Sequence, residues 1–216
     1  MTVVLFDVAP YARLQFESLR SEKSWPIESI FTRESVGLVY MSPVDKRTSM
    51  IGDIGLAVYK GEENQIIDHI KTCRDMVIAA AELAEIGMEF RELFHSAISL
   101  FKKRGGKVIG WMTTNHDPLK LNLGHTAPGS YQVLQFGDAF EQVRETIRTK
   151  RLYINELETF KIPETCAFTV EARLTDESLR LPNAFFHVIV TFSQGKKGIL
   201  TDFDGIFKAV GMDYML

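Results

Sequence analysis

The sequence predicts an α/β protein of the α+β kind, in which a mostly antiparallel sheet is covered by two long helices. Two kinds of pattern predict it. β-rich apolar runs stand near both ends of the chain, at "TVVLFDV" and again at "CAFTVEARL", "NAFFHVIVTF" and "KGILTDF". The last two are joined by the short turn "SQGKKG", which suits antiparallel neighbours. Between these ends, two long stretches repeat apolar residues at helical spacing. No internal repeat, low-complexity tract or linker-like change of composition interrupts the 216 residues, so 1–216 reads as one domain.

In chain order, "TVVLFDV" is a buried strand starting almost at residue 1. Residues 11–35 show poor periodicity and are interrupted by Pro26. "VGLVYM" and "IGDIGLAVYKG" follow as two strands, the second ending at Gly61. Ile66, Ile70, Cys73, Val77, Ala80 and Ala84 then trace a helical stripe that runs to Gly87. A second helix starts near Glu89, puts Phe90, Leu93, Phe94, Ala97, Ile98 and Phe101 on one face, and stops at "KKRGG". "KVIGWM" is the next strand candidate, "TTNHDPLKLNLGHTAPGS" is irregular and rich in turn formers, and "DAFEQVRETIRTKR" is a shorter amphipathic helix. The three carboxy-terminal strands complete the sheet.

Composition removes several function classes. Hydrophobic residues make up 45% of the chain, enough for a substantial core, and the formal net charge of −3 comes with no basic stripe to neutralise a run of phosphates. Nucleic-acid binding is therefore not expected. The cysteines, Cys73 and Cys166, stand far apart, which fits a reducing compartment without a disulfide framework. "MTVVLFDVAPYARL" has no basic start and no long apolar segment, and no run approaches the roughly 18 apolar residues of a membrane span. The expectation is a cytoplasmic protein that engages no membrane.

Five polar residues interrupt strand-like or turn-rich runs: Asp7, Asp53, His125, Glu171 and His187. Projecting from neighbouring strands, such a set could bind one or two divalent ions, since carboxylate oxygens and imidazole suit manganese, cobalt, zinc or iron. Each also has a plainer reading. Asp7 can begin a turn ahead of Pro10, and Asp53 beside Gly52 can cap a turn or bulge. His125 can be a hydrogen-bonded loop residue, Glu171 a polar residue on a half-exposed strand, and His187 a core histidine with its hydrogen bonds satisfied. His69, His95 and His116 read as helix-surface and loop residues.

Taken in order, "VVLFDVAP", "IGDIGLAVYKG", "LGHTAPGS", "CAFTVEARL" and "FHVIVTFSQGKKGILT" resemble the pita-bread metallohydrolases, the group that includes methionine aminopeptidase, Xaa-Pro aminopeptidase, prolidase and creatinase. The resemblance covers most of the chain from about residue 50, plus the first ten residues. It implies a pita-bread-like fold with a curved sheet, and a metal-dependent hydrolase acting on a small peptide or amide-like C–N bond. A homodimer is compatible with it. Carried over residue by residue, it makes Asp53 the second aspartate ligand, His125 the histidine ligand and Glu171 the first glutamate ligand. Asp7 is a weaker match to the first aspartate, ahead of Asp45 and Glu17. Two departures stand out. The position of the family's last glutamate is Phe185, and His187, two residues on and on the same strand face, is taken into the catalytic set as its substitute. Residues 11–50 read as an insertion or as a replacement for the half-domain that the family builds before its first aspartate. Loss of the bridging glutamate implies a mononuclear site, a changed metal or none. The alternative to the hydrolase is a degenerate, non-catalytic pita-bread module for binding or assembly.

Overall fold

A computed structural model of the chain describes residues 2–8, 30–41, 43, 52–103, 121–134, 140–176, 178 and 180–216. The expected strand at 107–112 lies outside them, as does most of the 11–50 segment.

The sheet is antiparallel at every described pairing. Strand β1 (Thr2–Asp7) pairs with β2 (Val36–Met41), β2 with β3 (Ile54–Tyr59), and β4 (Cys166–Leu174) with β5 (Ala184–Ser193) along its whole length. The two halves join where Leu56 of β3 pairs with Phe186 of β5. Further along, β5 pairs with β6 (Lys196–Leu200), so β3 and β6 occupy successive stretches of one β5 edge. The β5–β6 hairpin turns on Gln194 and Gly195, both at positive φ (49° and 80°), as a tight two-residue connection between right-twisted strands requires.

Side chains alternate across these strands, and the two faces differ in kind. Phe168, Val170, Ala172, Phe186, Val188 and Val190 are apolar and buried, and helix α1 (Asn64–Glu82) packs against β4 and β5. Its buried stripe is Ile66, Ile70, Cys73, Val77 and Ala80, with Met76 and Ala81 widening it. The Cys73 thiol donates to the carbonyls of Ala172 and Ala184, and burial pushes its pKa up to about 12, which keeps the donor hydrogen in place. Helix α2 (Phe90–Lys103) packs on α1 through Leu93, Phe94, Ala97 and Phe101, while the Phe90 ring meets Phe168 of β4. At the α2 start the Glu89 N–H donates to the Glu92 carboxylate, and the Glu92 N–H donates to the Glu89 carbonyl.

Helix α1 stops at Glu82 rather than at Gly87. Beyond it Leu83 and Ala84 close a last turn, and the Lys197 ammonium of β6 donates to the carbonyls of Glu82 and Ala84. A cation there satisfies acceptors that a longer helix would have used itself. Strand β3 likewise ends at Tyr59, two residues before Gly61. Helix α3 (Phe140–Lys150) agrees with the amphipathic pattern. Helix α4 (Asp204–Val210), stopped by Gly211 at φ 74°, was not anticipated. Among the described residues, no helix is long and apolar enough to cross a membrane.

Candidate metal centre

The face of the sheet turned away from α1 is polar at one place. Pairing of β4 with β5 sets Glu171 directly across from His187, with Thr169 across from Ile189 on one side and Arg173 across from Phe185 on the other. The Leu56–Phe186 pairing lays Gly55 against the His187 ring, where an added Cβ would fall 2.7 Å from Cε1. Two residues back along the chain, Asp53 therefore enters the same space.

His125 arrives differently. Residues 123–127 run along the outer edge of β4: Thr169 N–H donates to the His125 carbonyl, Ala127 N–H to the Ala167 carbonyl, and Glu171 N–H to the Leu123 carbonyl. Gly124, at φ 149°, makes this approach feasible, because a Cβ there would sit 2.2 Å from the Thr169 carbonyl oxygen. Residues 123–127 of the "irregular" stretch are thus an extra edge of the sheet, and they lay His125 over Glu171.

The four side chains form a ring in which imidazole and carboxylate alternate. His125 Nε2 lies 3.0 Å from Asp53 Oδ2 and 3.4 Å from Glu171 Oε1. His187 Nδ1 lies 3.7 Å from Asp53 Oδ1, and its Nε2 lies 3.8 Å from Glu171 Oε2. All four residues are buried, none more than 6% exposed. Thr169 Oγ1 donates to Glu171 Oε1 at 2.6 Å, which orients that carboxylate.

The hydrogen bonding of this ring is incomplete without a cation. A carbonyl oxygen only accepts, so the contact of His125 Nδ1 with the Thr126 carbonyl places a hydrogen on Nδ1. A carboxylate likewise only accepts, so the 3.0 Å contact of Nε2 with Asp53 Oδ2 calls for a hydrogen there too, or for a cation in its place. His187 Nδ1 and Nε2 and Asp53 Oδ1 are buried with no hydrogen-bond partner among the described residues. Two buried carboxylates this close call for positive charge between them.

The titration shifts point the same way. Burial alone would raise the Asp53 pKa, but its contacts with His125 and His187 outweigh that and hold it below the ordinary carboxylate range. For His187, burial lowers the pKa and Arg173 does so weakly, yet Glu171 and Asp53 prevail and the net shift is upward. The cluster attracts a cation more than burial repels it.

A divalent ion fits this donor set. One atom each from Asp53, Glu171 and His187 can be chosen so that all lie within 4.8 Å of one another. His125 stands beside this trio, with its Nε2 3.0 Å from Asp53 Oδ2 and 3.4 Å from Glu171 Oε1, close to the roughly 3.4 Å expected between ligand atoms around a tetrahedral ion with bonds near 2.1 Å. Two imidazoles with two carboxylates suit zinc, iron, cobalt or manganese better than calcium or magnesium.

Of the candidate residues, the fold brings Asp53, His125, Glu171 and His187 together. It does not bring Asp7. Register sets Asp7 beside Val36 and Val36 beside Tyr59, so Asp7 stands level with the far end of β3, about 20 Å along the strand from Asp53. Asp45, Glu17 and His116 lie outside the described residues. His69 is half-buried, with its Nε2 against the Leu174 carbonyl, and His95 is exposed on α2. His187 is no satisfied core histidine, and Glu171 is not half exposed. Strand parity puts Thr169 on the Glu171 face in the sequence, though with no role assigned, and Arg173, which shares that parity, is the residue this signal could have added.

Solved structures share this fold. An X-Pro aminopeptidase from Thermotoga maritima MSB8 is 16% identical, with a TM-score of 0.58 over 93% of this chain and 46% of its own. A dipeptidase from Pyrococcus horikoshii OT3 is 13% identical, with a TM-score of 0.63 and the same two coverages. A prolidase from Pyrococcus furiosus is 15% identical, with a TM-score of 0.57 over 93% of this chain and 48% of its own. The fold is the pita-bread fold, and the chain spans a little under half the length of these structures. No family model matches the sequence, and no curated protein is significantly similar to it.

Proposed function

We propose that the chain is a metal-dependent hydrolase of a small peptide or amide-like C–N bond, with Asp53, His125, Glu171 and His187 holding the ion. The observation that carries this reading is the ring of two carboxylates and two imidazoles, whose buried nitrogens and oxygen lack partners unless a cation joins them. The fold likeness to an aminopeptidase, a dipeptidase and a prolidase supports the choice of substrate class. A divalent ion held there would supply Lewis acidity for attack of water on an amide carbonyl. The chain's own residues prepare the place for it. The Thr126 carbonyl fixes the His125 tautomer, Thr169 orients Glu171, and Gly55 leaves room for the His187 ring.

A second reading, a binding or assembly module on the same scaffold, is favoured by Phe185 where the resemblance would place a glutamate, and by the distance of Asp7 from the cluster. One set of measurements separates them. The purified chain is assayed for bound manganese, cobalt, zinc and iron, and for release of amino acids from a panel of dipeptides and Xaa-Pro peptides. The hydrolase reading expects a stoichiometric ion and turnover, both abolished by Glu171→Ala. An ion whose binding Glu171→Ala abolishes overturns the bare module; no ion, together with a melting temperature indifferent to added metal, overturns the hydrolase and leaves the module.

A further inference from the structure

We infer that Tyr40 is a positioning residue of the centre: with Gly55 it forms the slot that sets the His187 imidazole at its distance from Asp53 and Glu171. This rests on the metal centre proposed above. Two of the ligands have the usual kind of support, a hydrogen bond with a group outside the ligand set. His125 Nδ1 donates to the Thr126 carbonyl, and Glu171 Oε1 accepts from the Thr169 hydroxyl. His187 is 1% exposed, and neither of its ring nitrogens has a hydrogen-bond partner among the described residues. Its orientation therefore comes from what the ring packs against.

Strand register supplies that packing. Tyr40 of β2 pairs with Gly55 of β3, and the Leu56–Phe186 pairing carries the same row on to His187 of β5, with Glu171 of β4 directly across from it. Residues opposite one another share a face, so Tyr40, Gly55, His187 and Glu171 line one side of four adjacent strands. Of these four, Gly55 alone lacks a side chain, and it stands beside His187. The imidazole leans over it, with Nδ1, Cε1 and Nε2 all between 2.7 and 2.9 Å from where a Cβ would be. The next position in the row is the half-buried Tyr40, whose ring meets the imidazole at 75° with centroids 6.2 Å apart. Gly55 opens the slot and Tyr40 closes it. Without a ring at position 40, the imidazole is free to tilt toward β2 and away from Glu171, whose Oε2 now lies 3.8 Å from Nε2.

The test uses the full chain and two readouts: zinc affinity by calorimetric titration, and the visible absorption of bound cobalt, which reports ligand geometry. Tyr40→Val, Tyr40→Leu and Tyr40→Met remove the ring and are expected to weaken zinc binding about tenfold or more and to alter the cobalt spectrum. Tyr40→Phe restores the ring and with it both readouts. Leu93→Ala, buried in α2 on the other side of the sheet, is the comparison for a purely structural loss. It is expected to lower the melting temperature and leave affinity and spectrum unchanged. Any one of the three ring-free variants that melts cooperatively decides. Wild-type affinity and spectrum in such a variant overturn this inference alone, as does a Tyr40→Phe variant that loses as much as they do. No bound ion in the wild type overturns the metal centre itself and this inference with it.

Discussion

Gly55 carries no side chain for a reason that belongs to its neighbour. The His187 ring occupies the space a Cβ would take, with three ring atoms between 2.7 and 2.9 Å from that position. Gly55→Ala should therefore push His187 away from Asp53 and Glu171, at a cost of about 1–3 kcal/mol in stability from overpacking. Metal affinity should fall about 10- to 100-fold, as when the support of a ligand is lost. Calorimetric titration and a thermal melt read the two effects separately, and an unchanged affinity would detach His187 from the centre. At this scale the sequence was only partly legible. Asp7 and Asp53 each follow or interrupt an apolar run, and nothing local tells them apart. What separates them is strand register, set by partners that lie elsewhere in the chain. His125 looked like a loop residue because its burial comes from backbone pairing with β4, which leaves no trace in side-chain periodicity.

Among the elements, the β5–β6 hairpin holds the clearest local strain. Gln194 sits at φ 49°, where a side-chain-bearing residue costs about 1–2 kcal/mol relative to right-handed backbone. Asparagine tolerates that conformation better and forms the preferred Asn-Gly turn with Gly195. Gln194→Asn should raise stability by about 0.5 kcal/mol, seen as a higher urea midpoint at unchanged slope; a lower midpoint would mean that Gln194 makes a contact worth more than its strain. Long periodic elements were readable, as α1 and α2 show. Their ends were not, since α1 stops where Lys197, from the far end of the chain, reaches its last carbonyls. Helix α4 has only seven residues, too few for a periodic stripe to stand out.

For the molecule as a whole, pH and metal should act in opposite senses. The His187 pKa lies above its ordinary 6.5 in the folded chain, so the metal-free protein gains stability from that proton below about pH 6.5 and loses it as pH rises through the folded value. The Asp53 pKa lies below its ordinary 3.8, so its contribution is present above that value and is lost as pH falls through the folded one. A divalent ion competes with the His187 proton, so its stabilisation should grow with pH. At a free concentration 100-fold above the dissociation constant, the gain is about 2.7 kcal/mol, or roughly 5–11 °C in melting temperature for a chain of this size. Melts from pH 5.5 to 8.5 with and without zinc would show the two curves diverging; parallel curves would place the ion away from His187.

The single pairing of Leu56 with Phe186 has a consequence for the order in which the molecule is made. It ties the first half of the sheet to the last, and Asp53 meets Glu171 and His187 only across it. Closing so long a loop is slow and comes after local helices and hairpins have formed. During synthesis, three of the four proposed ligands, Asp53, His125 and Glu171, therefore precede β5, and His187 joins them only when β5 leaves the ribosome. On the proposed reading, the capacity to hold an ion is a late property of folding, and its appearance would time the moment when the two halves of the sheet become one.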